Sequence, residues 1–332
     1  MSDARSSSAT ATTGTADPAR PYRGRFAPSP SGPLHFGSLI AAVGSYLEAR
    51  TCGGEWLVRI EDLDPPRERP GAADAILATL EHLGLHWDGP IMHQSTRVDA
   101  YQAALDRLAS AGQTFRCACS RAQLSALPQN LRRDPGDELF HPRGCPMSPA
   151  AAGTSMACRF QTPDREVEFM DRVQGRQCAN VAGTVGDFVL RRRDGWFAYQ
   201  LAVVVDDAAQ GVTDVVRGAD LLGSTARQIL LQEALGLPRL TYMHLPLAVD
   251  ESGLKLSKSD DAPALSREGP AAQLVAVLEF LRHSPPAGLG RASPDEVLQW
   301  ATTNWRPGLF SGMTRGAASG APVREATQED RQ

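Results

Sequence analysis

The chain has 332 residues, 42% of them hydrophobic and 22% charged, with a formal net charge of −4, a composition that suits a globular protein of one large or two small domains. No apolar run approaches the ~20 residues of a membrane span and no apolar secretory signal opens the chain, so a membrane protein is excluded and a cytoplasmic one expected. A pI near 6.0 gives no global attraction to nucleic acid, so any RNA contact must come from a local basic face.

Residues 1–20 are rich in Ser, Thr, Ala and Gly and predict a disordered tail. Over 21–110 the pattern alternates: strand 22–26, helix 37–50, strand 55–60, then helices 72–83 and 98–111, which is half of a doubly wound α/β sheet. The first strand runs into Arg-Phe-Ala-Pro-Ser-Pro-Ser-Gly-Pro-Leu-His-Phe-Gly-Ser, residues 25–38. Its prolines and glycines forbid regular structure until Leu39, Ile40, Val43 and Leu47 resume at helical spacing. Gly37 and Ser38 open that helix, where unpaired N–H groups favour phosphate, and His35 lies just upstream to meet the same anion. Glu61, Asp62 and Asp64 follow the second strand at its carboxyl end, where open parallel sheets bind ligands.

Cys117 and Cys119 form C-x-C, and His141 and Cys145 form H-x-x-x-C. Three thiols and an imidazole are the donor set of a closed tetrahedral zinc site, one ion per chain, in a reducing compartment. Cys52, Cys158 and Cys178 have no partner at short spacing. Residues 124–149 are rich in Pro, Arg, Asp and Gly and read as an insertion, spanning 111–190 in all, with short strands returning over 167–173 and 187–192. Arg132, Arg133 and Arg143 are its candidate phosphate contacts.

The second half of the sheet is expected over 191–265. Residues 201–205 read as a buried apolar strand ending at Asp206 and Asp207, and 212–216 as another ending at Arg217 and Gly218. An arginine at a buried strand end needs an anion or solvent. Lys255, Ser257 and Lys258 lie on a glycine-containing loop able to close over a triphosphate. Helices are predicted over 270–283 and 294–302 within a short region 266–305, and 306–332 as a flexible tail.

Three segments carry a resemblance to the glutamyl branch of the class I aminoacyl-tRNA synthetases. Residues 25–38 resemble its first motif, with His35 to Ser38 in the place of the HIGH tetrapeptide; 58–65 resemble its second strand; Gly-Leu-Lys-Leu-Ser-Lys-Ser at 253–259 resembles its KMSKS loop. The resemblance implies a Rossmann-type α/β catalytic domain carrying an inserted zinc-containing acceptor-type subdomain. It implies glutamate held by Arg25, Ser29, Glu61, Tyr199 and Arg217, and ATP, with Mg²⁺, held by His35, Gly37, Ser38, Lys255, Ser257 and Lys258. His35 and Lys258 are the catalytic candidates. The family's zinc site uses Cys, Cys, Tyr, Cys, so His141 departs from it by standing in the place of the tyrosine.

The length, the zinc spacing and Val203, where full-length members usually carry asparagine, are similar to the family's shortened glutamyl-Q type members, which lack the anticodon-binding domain. These activate glutamate and transfer it to the queuosine base of tRNA(Asp). A monomer is expected. Two alternatives stay open at this point: a truncated glutamyl enzyme that charges a tRNA 3′ end, and a non-catalytic RNA-binding paralogue.

Overall fold

The computed structural model describes residues 21–131, 139–144, 155–249 and 269–317. Its first half runs β1 (Arg23–Phe26), α1 (Phe36–Thr51), β2 (Glu55–Ile60), α2 (Ala72–His82), β3 (Met92–His93) and α3 (Val98–Ser110). Then come β4 (Thr114–Cys117), α4 (Arg121–Ser125), β5 (Ala157–Phe160), β6 (Glu166–Asp171), β7 (Gly175–Asn180), α5 (Val181–Thr184) and β8 (Val189–Arg191). The remainder is α6 (Tyr199–Ala209), β9 (Asp214–Gly218), α7 (Leu222–Ala234), β10 (Thr241–Leu245), β11 (Leu247–Val249), α8 (Pro270–Phe280), α9 (Pro294–Asn304) and β12 (Arg315–Ala317).

Strands β1, β2 and β3 pair in parallel, as do β9, β10 and β6, with β7 antiparallel to β6 at the outer edge. Thr213 joins the two sets: its N–H donates to the Arg23 carbonyl at 2.9 Å, and the Arg23 N–H donates to Thr213 Oγ1 at 2.8 Å. Strand β9 therefore lies beside β1, and the order β3-β2-β1-β9-β10-β6 reverses direction between β1 and β9. That reversal is the place where an open α/β sheet leaves a crevice at its strand ends. Side chains alternate across the sheet, so Val216 and Met243 enter one core with α1, α8 and α9, while Val215 and Tyr242 enter another with α3, α6 and α7.

Helix α1 packs tightly over the sheet because residue 44 is glycine: a Cβ there would stand 2.5 Å from Leu245 Cδ1. An antiparallel sheet of β4, β5 and β8 stands apart from the parallel one. The hairpin β6–β7 does not share that separation. It lies within the residues read as insertion, yet β6 pairs with β10 on the parallel sheet.

Two expectations are corrected. The run 201–205 is not a strand but the middle of helix α6, because an apolar stretch of that length looks the same in a fully buried helix as in a buried strand. Residues 306–317 are not a loose tail. Phe310 is buried beside Trp305, β12 pairs with β11, and the Trp305 indole N–H donates to buried Glu48 on α1 at 2.6 Å. Residues 1–20 and 318–332, the other parts read as tails, lie outside the described residues, as do Arg132 and Arg133.

Candidate functional site

Two cavities meet over the carboxyl ends of β1 and β9. The smaller, of about 280 Å³, is lined by Ser29, His35, Gly37, Ser38 and the residues around Pro246. His35 is the N-cap of α1: its Nδ1 accepts from the Ser38 N–H at 3.4 Å, so Nε2 carries the proton toward Ser38 Oγ at 2.9 Å. The first turn of α1 thus faces the cavity with its positive dipole end.

The larger cavity, of about 650 Å³, shares Ser29 and Gly218 with the first and is lined by Arg25, Glu61, Tyr199 and Arg217. All five residues expected to hold an amino acid therefore face one cleft. Arg67, Asp64 and Arg192 also line it, and Asp64 pairs with both arginines.

The two buried arginines of this cleft differ in charge environment. Arg25 donates from Nε to Asp207 Oδ1 at 3.1 Å, and the same oxygen accepts from Arg59 Nη1 at 2.8 Å. Arg59 also reaches Glu61 Oε1 at 3.4 Å, so two guanidiniums and two carboxylates form a charge-balanced group, with Glu61 its member at the cleft surface. Burial alone would raise the Asp207 carboxyl, but Arg25 and Arg59 together hold it below the usual carboxylate range. Burial pushes Glu61 above that range, outweighing Arg59 and Arg25. Arg217 is as buried, at 5% exposed, yet its hydrogen-bond partners are neutral: His244 Nε2 at 3.1 Å, Gln228 Oε1 at 2.8 Å, Thr225 Oγ1 at 2.9 Å, the Leu221 carbonyl and Tyr199 Oη at 3.4 Å. Among the described residues no carboxylate forms an ion pair with it, so the cleft holds a desolvated cation.

Cys117, Cys119 and His141 bring their ligand atoms within 4.8 Å of one another, all three buried. Cys117 Sγ lies 3.2 Å from His141 Nε2, close to the ~3.5 Å edge of a tetrahedral zinc site, and among the described residues His141 Nδ1 has no hydrogen-bond partner. Despite burial, hydrogen bonding to His141 brings the Cys117 thiol down to about 6. The donor set fits a metal ion. Gly186 sets the histidine in place: at φ +74°, a Cβ there would stand 1.7 Å from the His141 carbonyl oxygen, which accepts from the Asp187 N–H at 3.1 Å. Cys145, Lys255, Ser257 and Lys258 lie outside the described residues. Arg143 is half exposed and pairs with Asp164.

Sequence reasoning missed Arg59, Asp171, His244, Gln228 and Thr225. Arg59 did carry a signal, since a charged residue inside the apolar run 56–60 must find a counter-charge. The others carry none, because their partners are set by strand order.

Residues 22–269 match the family model of class I tRNA synthetases (E and Q), catalytic domain. A glutamyl-Q tRNA(Asp) synthetase from Dechloromonas aromatica is 55% identical over 285 residues, covering 86% of this chain and 94% of that protein. One from Aromatoleum aromaticum is 52% identical over 311 residues, covering 90% and 97%. Among solved structures, a glutamate tRNA ligase from Elizabethkingia meningosepticum in complex with its amino acid aligns with a TM-score of 0.72 at 28% identity, covering 90% of this chain and 68% of that one. With the switch-point crevice and its paired cavities, these similarities establish that the chain belongs to the class I glutamyl and glutaminyl tRNA synthetase family.

Proposed function

We propose that this protein activates L-glutamate with ATP as glutamyl-adenylate and transfers the glutamyl group to the queuosine base of tRNA(Asp), as a monomer in the cytoplasm. The observation that carries the choice of amino acid is the contrast between the arginines. Arg217 offers a buried charge that no carboxylate among the described residues ion-pairs, which a ligand carboxylate completes, while Arg25 is already paired with Asp207 and orients rather than neutralises. Glutamine's neutral amide would leave Arg217 without a counter-charge, a cost on the order of 1–3 kcal/mol. Glu61 takes the α-ammonium, which also relieves its own burial, and the hydroxyls of Ser29 and Tyr199 complete the shell.

ATP lies in the smaller cavity, with its phosphates toward His35, Gly37 and Ser38 at the start of α1 and Mg²⁺ accompanying them. The glutamate α-carboxylate attacks the α-phosphorus and pyrophosphate leaves, so no covalent enzyme nucleophile is needed. Catalysis is positioning and charge stabilisation, by His35 and, from the segment outside the described residues, Lys255, Ser257 and Lys258. Zinc would be held by Cys117, Cys119 and His141, with Cys145 from outside the described residues as the fourth donor. When bound it cross-links the inserted subdomain and supplies no chemistry to the transfer.

Glutamate-dependent exchange of pyrophosphate into ATP tests the activation step. Exchange with glutamate and none with glutamine is expected; strong exchange with glutamine would overturn the pocket assignment.

A further inference from the structure

The cation of Arg217 is held from behind by two residues that do not line the cleft. His244, on β10, accepts the Arg217 Nε–H through Nε2 at 3.1 Å, and its Nδ1 faces Asp171 Oδ2 at 2.6 Å. Both side chains are fully buried. The other Asp171 oxygen accepts from the backbone N–H groups of Val173 at 3.0 Å, Gln174 at 2.8 Å and His244 at 3.3 Å, so the carboxylate cannot turn.

We infer that Asp171 and His244 are positioning residues for glutamate recognition: Asp171 fixes the histidine as its Nδ1–H tautomer, and the imidazole aims Arg217 without neutralising it. The chemistry needs a spacer of this kind. A carboxylate placed directly on Arg217 would quench it, as Asp207 does Arg25. Imidazole has one acceptor nitrogen, and it faces Arg217 only while the other nitrogen carries the proton. Burial and the Arg217 charge keep His244 neutral against the pull of Asp171. The arrangement also gives strand β6 a task in the site, because Asp171 ends it beside Tyr242 of β10.

The inference rests on the assignment of Arg217 to glutamate, and one set of variants separates the two. In Asp171→Asn the backbone N–H groups hold the amide oxygen, so the amide nitrogen faces Nδ1 and forces the Nε2–H tautomer, setting two donors against each other. In the full-length protein, the KM for glutamate in ATP–pyrophosphate exchange should rise about tenfold or more while the KM for ATP stays within about twofold. His244→Ala should do the same, whereas His244→Gln, whose amide can accept from Arg217 and donate to Asp171, should restore the glutamate KM to within about threefold of the parent. Thermal melts followed by circular dichroism establish which variants fold. A folded Asp171→Asn protein with unchanged glutamate KM, or with both KM values raised alike, overturns the inference. If Asp171→Asn does not fold, the histidine pair decides, and equal glutamate KM values for His244→Ala and His244→Gln overturn it. Arg217→Ala is the separate control: retained exchange in that variant would sink the pocket assignment itself.

Discussion

Asp207 is the point at which the buried charges of the cleft can be unbalanced by a single substitution. Its Oδ1 accepts from Arg25 at 3.1 Å and Arg59 at 2.8 Å, and those arginines are 3% and 0% exposed. Asp207→Asn keeps an oxygen for both bonds and removes one charge, leaving two guanidiniums to share Glu61 alone. Breaking a buried pair by removing one partner costs about 3–5 kcal/mol. Because the acceptor survives, the lower end is expected, a loss of about 3 kcal/mol read from the urea midpoint at unchanged slope. The released arginines also draw the Glu61 carboxylate inward, so the glutamate KM should rise with the loss of stability. A stability loss below about 1 kcal/mol, the range of an exposed pair, would refute the reasoning.

Further outcomes follow from the same geometry. Glu61→Ala should abolish glutamate-dependent exchange while the protein still folds, because its carboxylate meets the ligand, is disfavoured by its own burial and reaches Arg59 only at 3.4 Å. One zinc per chain is expected, and both Cys117→Ser and Cys145→Ser should lower metal content; unchanged content in both would make the cluster accidental. Gly186→Ala should cost metal affinity, measured by competition with a chelator, because the backbone of His141 must move away from the added Cβ. Stability should fall on acidification below pH ~6.5, the unfolded value of histidine, because buried His244 resists protonation in the fold while the unfolded chain takes the proton up. Asp171 and Asp207, both held below the usual carboxylate range, extend that loss through about pH 4. Glu61, raised by burial, acts in the opposite sense. His244→Gln should flatten the upper part of this profile; a profile unchanged in that variant would remove His244 as its source.

What could be read from the sequence was local. The turn from β1 into α1 announces itself through prolines, glycines and a resumption of helical spacing, and the three family segments, in order, carried the fold class and the branch of the family. The helical nature of α6 was not legible, because Leu201 to Val205 is apolar on every side and buried on nearly all of them, which erases the period of an amphipathic helix. The packing of residues 306–317 was hidden by a Gly- and Pro-rich composition in which Phe310 alone supplies the buried anchor. Asp171 and His244 lie 73 residues apart in the chain. Only the pairing of β6 with β10 brings them together, and that pairing is a property of the whole sheet.

The acceptor is where the account is tested most directly. Labelled glutamate, ATP and the purified protein should be combined with tRNA(Asp) carrying queuosine, with the same tRNA carrying unmodified guanosine, and with tRNA(Glu). A hydroxyl of the queuosine cyclopentene can attack the adenylate as a ribose hydroxyl would, so label should enter the first RNA alone. Label at the 3′ end of tRNA(Glu), with none on the queuosine-containing tRNA(Asp), would contradict the account and identify a shortened glutamyl enzyme of the ordinary kind.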